Sequence, residues 1–357
     1  MYQIIPLENK HEWDSIIDNL ESKDIYFYQA YSSLYSKLES GQPFLFVFHN
    51  KSGNTICYPF IKRSLNTLDF LKADSSFEQV YDITTPYGYG GPLYDVMDEE
   101  SINKFRGEFQ EYCREENIVS EFIRFHPMLK NHEHLSNSLE VLAVNQTIFI
   151  DLTQNEEDIF NHYHKNHQRN IRKAFGNKLE FKIFKNNAID YLEDFYQLYI
   201  KTMDKVNARS YYYFSRDYVR QLITGLKNNV IIAAVFFEGK MIAAALCMFN
   251  DNYLHYHLGC SKQETLRLGT NPFLFHHIAM WGKKNGFQRF HLGGGHSGKD
   301  TLYTFKNRFN PKGVLDFYIG KKVHNEDLYN ELVRKWGNYY EQHADHSYFP
   351  AYRYPML

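Results

Sequence analysis

Residues 253–313, YLHYHLGCSKQETLRLGTNPFLFHHIAMWGKKNGFQRFHLGGGHSGKDTLYTFKNRFNPKG, read in order as strand, loop, helix, strand, glycine-rich loop and helix. Tyr253 to Leu258 is a short aromatic-rich run, which favours strand. Asn271 before Pro272 marks a helix start, because Asn can cap and Pro fits the first helical position. Leu274, Ile278 and Trp281 recur at helical spacing, and Asn285-Gly286 after Lys283 and Lys284 closes the helix. Arg289 to Leu292 is a second strand. It runs into Gly293-Gly294-Gly295, and a helix carrying Phe305 and Lys306 follows. Bare backbone N–H groups beside one placed lysine suit a developing oxyanion.

Gly293 to Lys299, GGGHSGK, also has the spacing of a phosphate-cradling Walker loop. That loop needs Ser or Thr next, to hold a magnesium ion, and Asp300 stands there instead. No second strand–helix repeat with a metal-holding Asp is visible. A loop that meets the backbone of an acyl donor or acceptor fits better than an ATPase. His162, His164 and His167 form H-x-H-x-x-H among Lys165, Arg169, Arg172 and Lys173. The pattern reads as a solvated basic face, with contact to donor phosphates as the sharper alternative. There is no HExxH, and no metal site is expected. His276 and His277 are adjacent in a helix, so one is expected buried and one exposed. Neither a Cys–His pair nor a GxSxG elbow is present, which argues against a covalent acyl-enzyme.

Working outward, 357 residues suit two domains better than one. Tyr and Phe number 29 each, which points to aromatic-rich sheets. The formal net charge of −2 gives no global signature for nucleic acid. Cys57, Cys113, Cys247 and Cys260 form no CxxC pair and read as free thiols in a reducing compartment. The N-terminus has no signal-peptide core, and no apolar run approaches a membrane span. A cytoplasmic protein is expected.

One structural unit is expected twice. Val230 to Phe237, the turn Glu238-Gly239-Lys240 and Met241 to Phe249 make a hairpin; Phe44 to His49 and Thr55 to Ile61 make another. Helices precede both: Lys10 to Leu20 and Gln29 to Leu38, then Ala188 to Lys205 and Arg216 to Lys227. Glu99 to Glu116 reads as a helix, Ile118 to Phe125 and Ala143 to Leu152 as strands, and Asn155 to Phe175 as one helix. Val314 to Ile319 is a strand and Glu326 to Tyr340 a terminal helix. The fold class is mixed α/β, with mostly antiparallel sheets flanked by helices. Three segments are expected: 1–145, 146–322, and 323–357.

LGCS (258–261), NPFLFHHIAMWGKKNGFQRFHLGGG (271–295) and TLYTFKNRF (301–309) resemble the C-terminal half of the FemABX aminoacyltransferases and the FemAB-like acyltransferases of the GNAT superfamily. NHQRNIRKA (166–174) is similar to the family's basic helix, and IRFHP (123–127) to a strand end. The resemblance implies two GNAT-like lobes. It places the acyl-transfer site in the second lobe and packs the segment after 322 back on the first.

The resemblance also assigns roles. Lys306 would stabilise the oxyanion and Phe305 would pack beside the donor. Gly293, Gly294 and Gly295 would let the donor approach. Gly294→Ala would then reduce activity while sparing stability, because a Cβ would meet the ligand. GNAT enzymes hold a donor pyrophosphate at a helix start, and the corresponding residues are Arg267, Gly269 and Asn271 in RLGTNP, one residue short of the usual spacing. DKVNARSYYYF (204–214) occupies the acceptor-contacting place, offering Arg209, Tyr211 and Tyr212. Peptidoglycan members carry a lysine after an aromatic residue in the second helix; Ser33 follows Tyr31 here, with Lys37 one turn on. The activity implied is N-acyl transfer to an amine of a cell-envelope precursor. Acyl-CoA or aminoacyl-tRNA would be the cosubstrate, with no tightly bound cofactor, and the acceptor would be a small molecule or a lipid- or nucleotide-linked sugar. The acidic balance, and the lack of a helical-hairpin arm between Lys205 and Val230, favour a donor other than tRNA. The alternative is a non-catalytic, ligand-binding envelope-assembly factor.

Overall fold

The computed structural model describes residues 2–95, 98–296, 298–342 and 348–354. The chain divides into two compact units, Met1–Val144 with Phe317–Leu357, and Asn145–Asp316. The first unit resumes at Phe317, where the far end of a long strand pairs within it.

The first unit runs β1 (Tyr2–Pro6), α1 (Lys10–Asp18), α2 (Gln29–Leu38), β2 (Gln42–His49), β3 (Thr55–Ser64), β4 (Tyr81–Thr84), β5 (Leu93–Tyr94), α3 (Glu99–Glu115) and β6 (Ile118–Arg124). Strand β7 (Glu140–Asp151) carries the chain into the second unit. There follow α4 (Glu156–His162), α5 (Lys165–Gly176), β8 (Glu180–Phe184), α6 (Leu192–Lys205), α7 (Arg216–Leu226), β9 (Val230–Phe237), β10 (Lys240–Asn250), β11 (Tyr253–Ser261), α8 (Thr270–Lys284), β12 (Arg289–Gly294) and α9 (Thr301–Asn307). Strand β13 (Val314–Val323) returns, and α10 (Glu326–Tyr340) follows.

Both units use one pairing scheme, which is the repeat expected from the sequence. In the first, β1, β2, β3 and β4 are antiparallel neighbours, β4 pairs β6 in parallel, and β6 pairs β13 antiparallel. In the second, β8, β9, β10 and β11 are antiparallel, β11 pairs β12 in parallel, and β12 pairs β7 antiparallel. The single parallel step in each needs a crossover, supplied by α3 and by α8.

The aromatic excess fills these cores. Helix α3 buries Ile102, Phe105, Phe109, Tyr112 and Cys113 at three- and four-residue spacing, against Phe46, Tyr58 and Phe60 of the sheet. Ring centroids of Phe46 and Phe109 lie 5.0 Å apart, edge to face. All four cysteines are free and buried. The C-terminal segment is held in the first unit by ions. Asp82 is fully buried, and Arg63 Nε (2.8 Å) and Arg353 Nη2 (3.1 Å) donate to its carboxylate. Burial pushes that carboxyl up, but the two guanidiniums outweigh it and hold it below its ordinary value.

The expected single helix 155–175 is two. Tyr163 is extended (ψ 141°), and the His164 backbone N–H donates to the Arg308 carbonyl at 2.7 Å. The His164 ring then caps the new helix by accepting from the Asn166 N–H (3.2 Å). A tertiary bond interrupts a pattern that is continuous in sequence. Among the described residues, no helix is long and apolar enough to cross a membrane.

Candidate functional site

Strands β11 and β12 pair in parallel only through Tyr253–Arg289, Leu254–Phe290 and His255–His291. Beyond that point both strands continue, to Ser261 and to Gly294, without further pairing between them. A wedge therefore opens between two parallel strand ends, where ligands of α/β sheets commonly bind. Beyond His291, β12 makes a bulge against β7, with Gly293 at φ +71°, a conformation that suits glycine.

Lys306 is brought to this wedge by α9. Asp300 caps that helix, accepting from the Tyr303 N–H (2.7 Å) and also from the His296 N–H (2.7 Å). The residue that departs from the Walker pattern is thus the one that folds the loop onto the helix. Lys306 is only 5% exposed. Its Nζ donates to the Gly294 carbonyl (2.7 Å) and lies 5.5 Å above the Tyr256 ring. Burial pulls its pKa down from 10.5 to about 7; nearby Asp300 opposes this and does not prevail. Lysine is ordinarily a surface residue, and here it lies in the interior. It is a buried amine near its charge transition at neutral pH, a property found often at functional sites.

Phe305 is half-buried against Phe275 (5.4 Å) and Phe309 (5.5 Å). Tyr256, which the sequence reading did not single out, packs on Phe275 (4.7 Å). Its hydroxyl covers Gly259, lying 1.7 Å from where a Cβ would stand. The sequence pattern reads His167 with its basic neighbours as part of a solvated face, and that reading is corrected. It belongs to no solvated face: it is 2% exposed and lies against Phe305. His162 and His164 are exposed, whereas His276 and His277 are both half-buried, rather than one in and one out.

The other expected residues divide. Tyr212 meets the glycine-rich loop, its ring 5.2 Å from that of His296, while Arg209 and Tyr211 are exposed on the same loop. Arg267 is exposed. Helix α8 starts at Thr270, two residues before the expected position, with left-handed Gly269 (φ +85°) as its cap. Asn271 is therefore inside the helix, and its amide donates to Ser261 Oγ (3.3 Å). Lys37 is exposed in the last turn of α2, in the first unit.

Gly294 has an internal reason to lack a side chain, since a Cβ would lie 2.4 Å from the Gln146 carbonyl of β7. The expectation that Gly294→Ala spares stability is corrected accordingly. This variant should lose about 1–3 kcal/mol, the usual cost of overpacking, read as a lower urea midpoint. An unchanged midpoint would show that β12 can move away from β7.

Residues 161–307 match the family model described as an acetyltransferase (GNAT) domain. No curated protein matches the chain in sequence. Among solved structures, FemX superposes with a TM-score of 0.72 at 12% identity, covering 93% of this chain and 99% of its own. L-PGS from Bacillus licheniformis gives 0.55 at 12% identity, covering 88% of this chain and 92% of its own. The C-terminal domain (DUF2156) of a protein provisionally assigned as a lysylphosphatidylglycerol synthetase, from Agrobacterium fabrum, gives 0.54 at 16% identity, covering 90% and 92%. The wedge and Lys306 fall within or directly beside the matched segment. The chain thus resembles the FemABX-type proteins on two counts, a GNAT domain at residues 161–307 and the fold of FemX.

Proposed function

We propose that the protein is a cytoplasmic N-acyltransferase that moves an activated acyl or aminoacyl group from a thioester or ester carrier onto an amine of a cell-envelope precursor. The observation that carries this reading is the buried Lys306 amine at the wedge between β11 and β12. The donor carbonyl enters the wedge beside Gly293 and Gly294. The acceptor nitrogen attacks the carbonyl carbon, the carrier sulfur or oxygen leaves, and the proton passes from the amine to the leaving group. Lys306 Nζ then exchanges its Gly294 partner for the oxyanion, a placed donor in a dry site. Phe305 and Tyr256 wall the wedge, and Tyr212 with Arg209 and Tyr211 receive the acceptor.

A GNAT domain match and the fold shared with FemX and with a protein provisionally assigned as a lysylphosphatidylglycerol synthetase support acyl or aminoacyl transfer. The net charge of −2 favours an acyl-CoA donor over tRNA. The test is mass spectrometry of an amino-sugar panel incubated with the protein and acetyl-CoA, or with bulk charged tRNA. Acyl mass added to an amine is the expected result, and no transfer from either donor would refute the reading. For tRNA, filter binding should be weak and salt-sensitive; submicromolar affinity at physiological salt would reverse the choice of donor.

A further inference from the structure

The start of α5 and the end of α9 are joined by two bonds. The His164 backbone N–H donates to the Arg308 carbonyl (2.7 Å), and His167 Nε2 lies 2.9 Å from the Phe305 carbonyl. The last carbonyls of a helix have no partner within it and must find one elsewhere. Here the Phe309 N–H turns to the Lys306 carbonyl (3.0 Å), leaving that of Phe305 to His167. A carbonyl only accepts, so Nε2 carries the proton and Nδ1 is the bare nitrogen of a neutral ring. Burial supports this form by pulling the His167 pKa down to about 4, although its bond to Phe305 opposes the shift.

Among the described residues, Nδ1 is buried with no hydrogen-bond partner. Leaving a buried polar atom unpaired is costly. The ring packs against Phe305 (5.0 Å) and Phe309 (4.4 Å), contacts that an apolar ring would make without that cost. Packing therefore does not account for a histidine at this place, whereas the donated hydrogen bond does.

We infer that His167 is a positioning residue, whose Nε2–H fixes the Phe305 carbonyl and so sets the direction in which Lys306, the next residue, enters the wedge. Its consequence for turnover rests on the acyl-transfer reading; its consequence for Lys306 itself does not. Among the described residues, the groups facing the Lys306 amine are the Gly294 carbonyl, the Tyr256 ring and the Asp300 carboxylate. A helix end released from His167 lets water reach that amine.

Two variants separate donation from packing. His167→Gln keeps a donor and loses the ring; His167→Phe keeps a ring and loses the donor, with His167→Leu as the substitute if the Phe variant does not fold. The first readout is the Lys306 pKa, from NMR of ¹⁵N-lysine protein with Lys306→Met for assignment. In His167→Phe it should climb from about 7 toward 10.5, whereas in His167→Gln it should stay near wild type. The second readout is acyl transfer, where kcat should fall roughly tenfold or more in His167→Phe with KM little changed, as misplacement of a reacting group does. A wild-type Lys306 titration in His167→Phe would overturn the inference, as would equal shifts in both variants. If the titrations behave as expected but no form of the protein transfers an acyl group, the positioning role stands and the acyl-transfer reading falls.

Discussion

Lys306→Met is expected to remove turnover and to raise the thermal midpoint in the same preparation. Losing a placed oxyanion donor costs about two to three orders of magnitude in kcat, and Lys306→Ala should lose as much. The stability effect follows from linkage. In the fold the Lys306 pKa is lowered from 10.5 to about 7 by burial, against the opposing pull of Asp300. Between those values the unfolded chain holds a proton that the folded one has released. Stability therefore falls as pH drops from 10.5 toward 7, and the penalty is fully developed below that. At about 1.4 kcal/mol per pKa unit the gross cost is several kcal/mol, while the lost bond to Gly294 returns about 1–3 kcal/mol. A net gain for Met of about 2–4 kcal/mol should appear as a clearly higher midpoint at pH 7. The gap should narrow as both proteins are melted at rising pH. A variant that is destabilised at pH 7, or a gap that does not move with pH, would mean that the lysine is not held as a neutral, buried amine.

Gly269→Ala should have the second largest effect, this time on the fold. Gly269 caps α8 with φ +85°, where a side chain is strained by about 1–3 kcal/mol. A Cβ there would also stand 2.2 Å from the Asn170 carbonyl of α5, a backbone atom that cannot rotate away. Strain and overpacking together should cost about 3 kcal/mol or more. Because α5 also carries His167, pushing it off α8 should loosen the hold on Phe305. The expected result is a clearly lower urea midpoint with turnover reduced in the protein that remains folded. A midpoint equal to wild type would show that α5 and α8 do not approach as closely as described.

Much of the architecture was legible because local signals agreed with the fold. Alternating and apolar runs around Glu238-Gly239-Lys240 gave both strands of the β9–β10 hairpin, and α2 and α10 run between the residues read for them. What could not be read depended on partners distant in sequence. The break at Tyr163 follows from a bond to Arg308, and the early start of α8 from a left-handed glycine packed on Asn170. Strand β8 escaped notice because EFKIF is a short, half-exposed edge with too few apolar residues to stand out. Lys306 was recognisable by its place in TLYTFKNRF, but not its burial, since a lysine is ordinarily read as exposed. His167 was hidden among basic neighbours, and only the carbonyl that it caps distinguishes it from them.

The claim that the wedge between β11 and β12 takes the donor is tested most directly by hydrogen exchange. Amide exchange should be compared with and without saturating acetyl-CoA, and separately with an aminoacylated 3′-end fragment of tRNA. With the true donor class, peptides covering 256–261 and 289–296 should be protected, and the protection at 289–296 should weaken in Lys306→Met. Protection confined to other segments, with these two unchanged under both donors, would contradict the account.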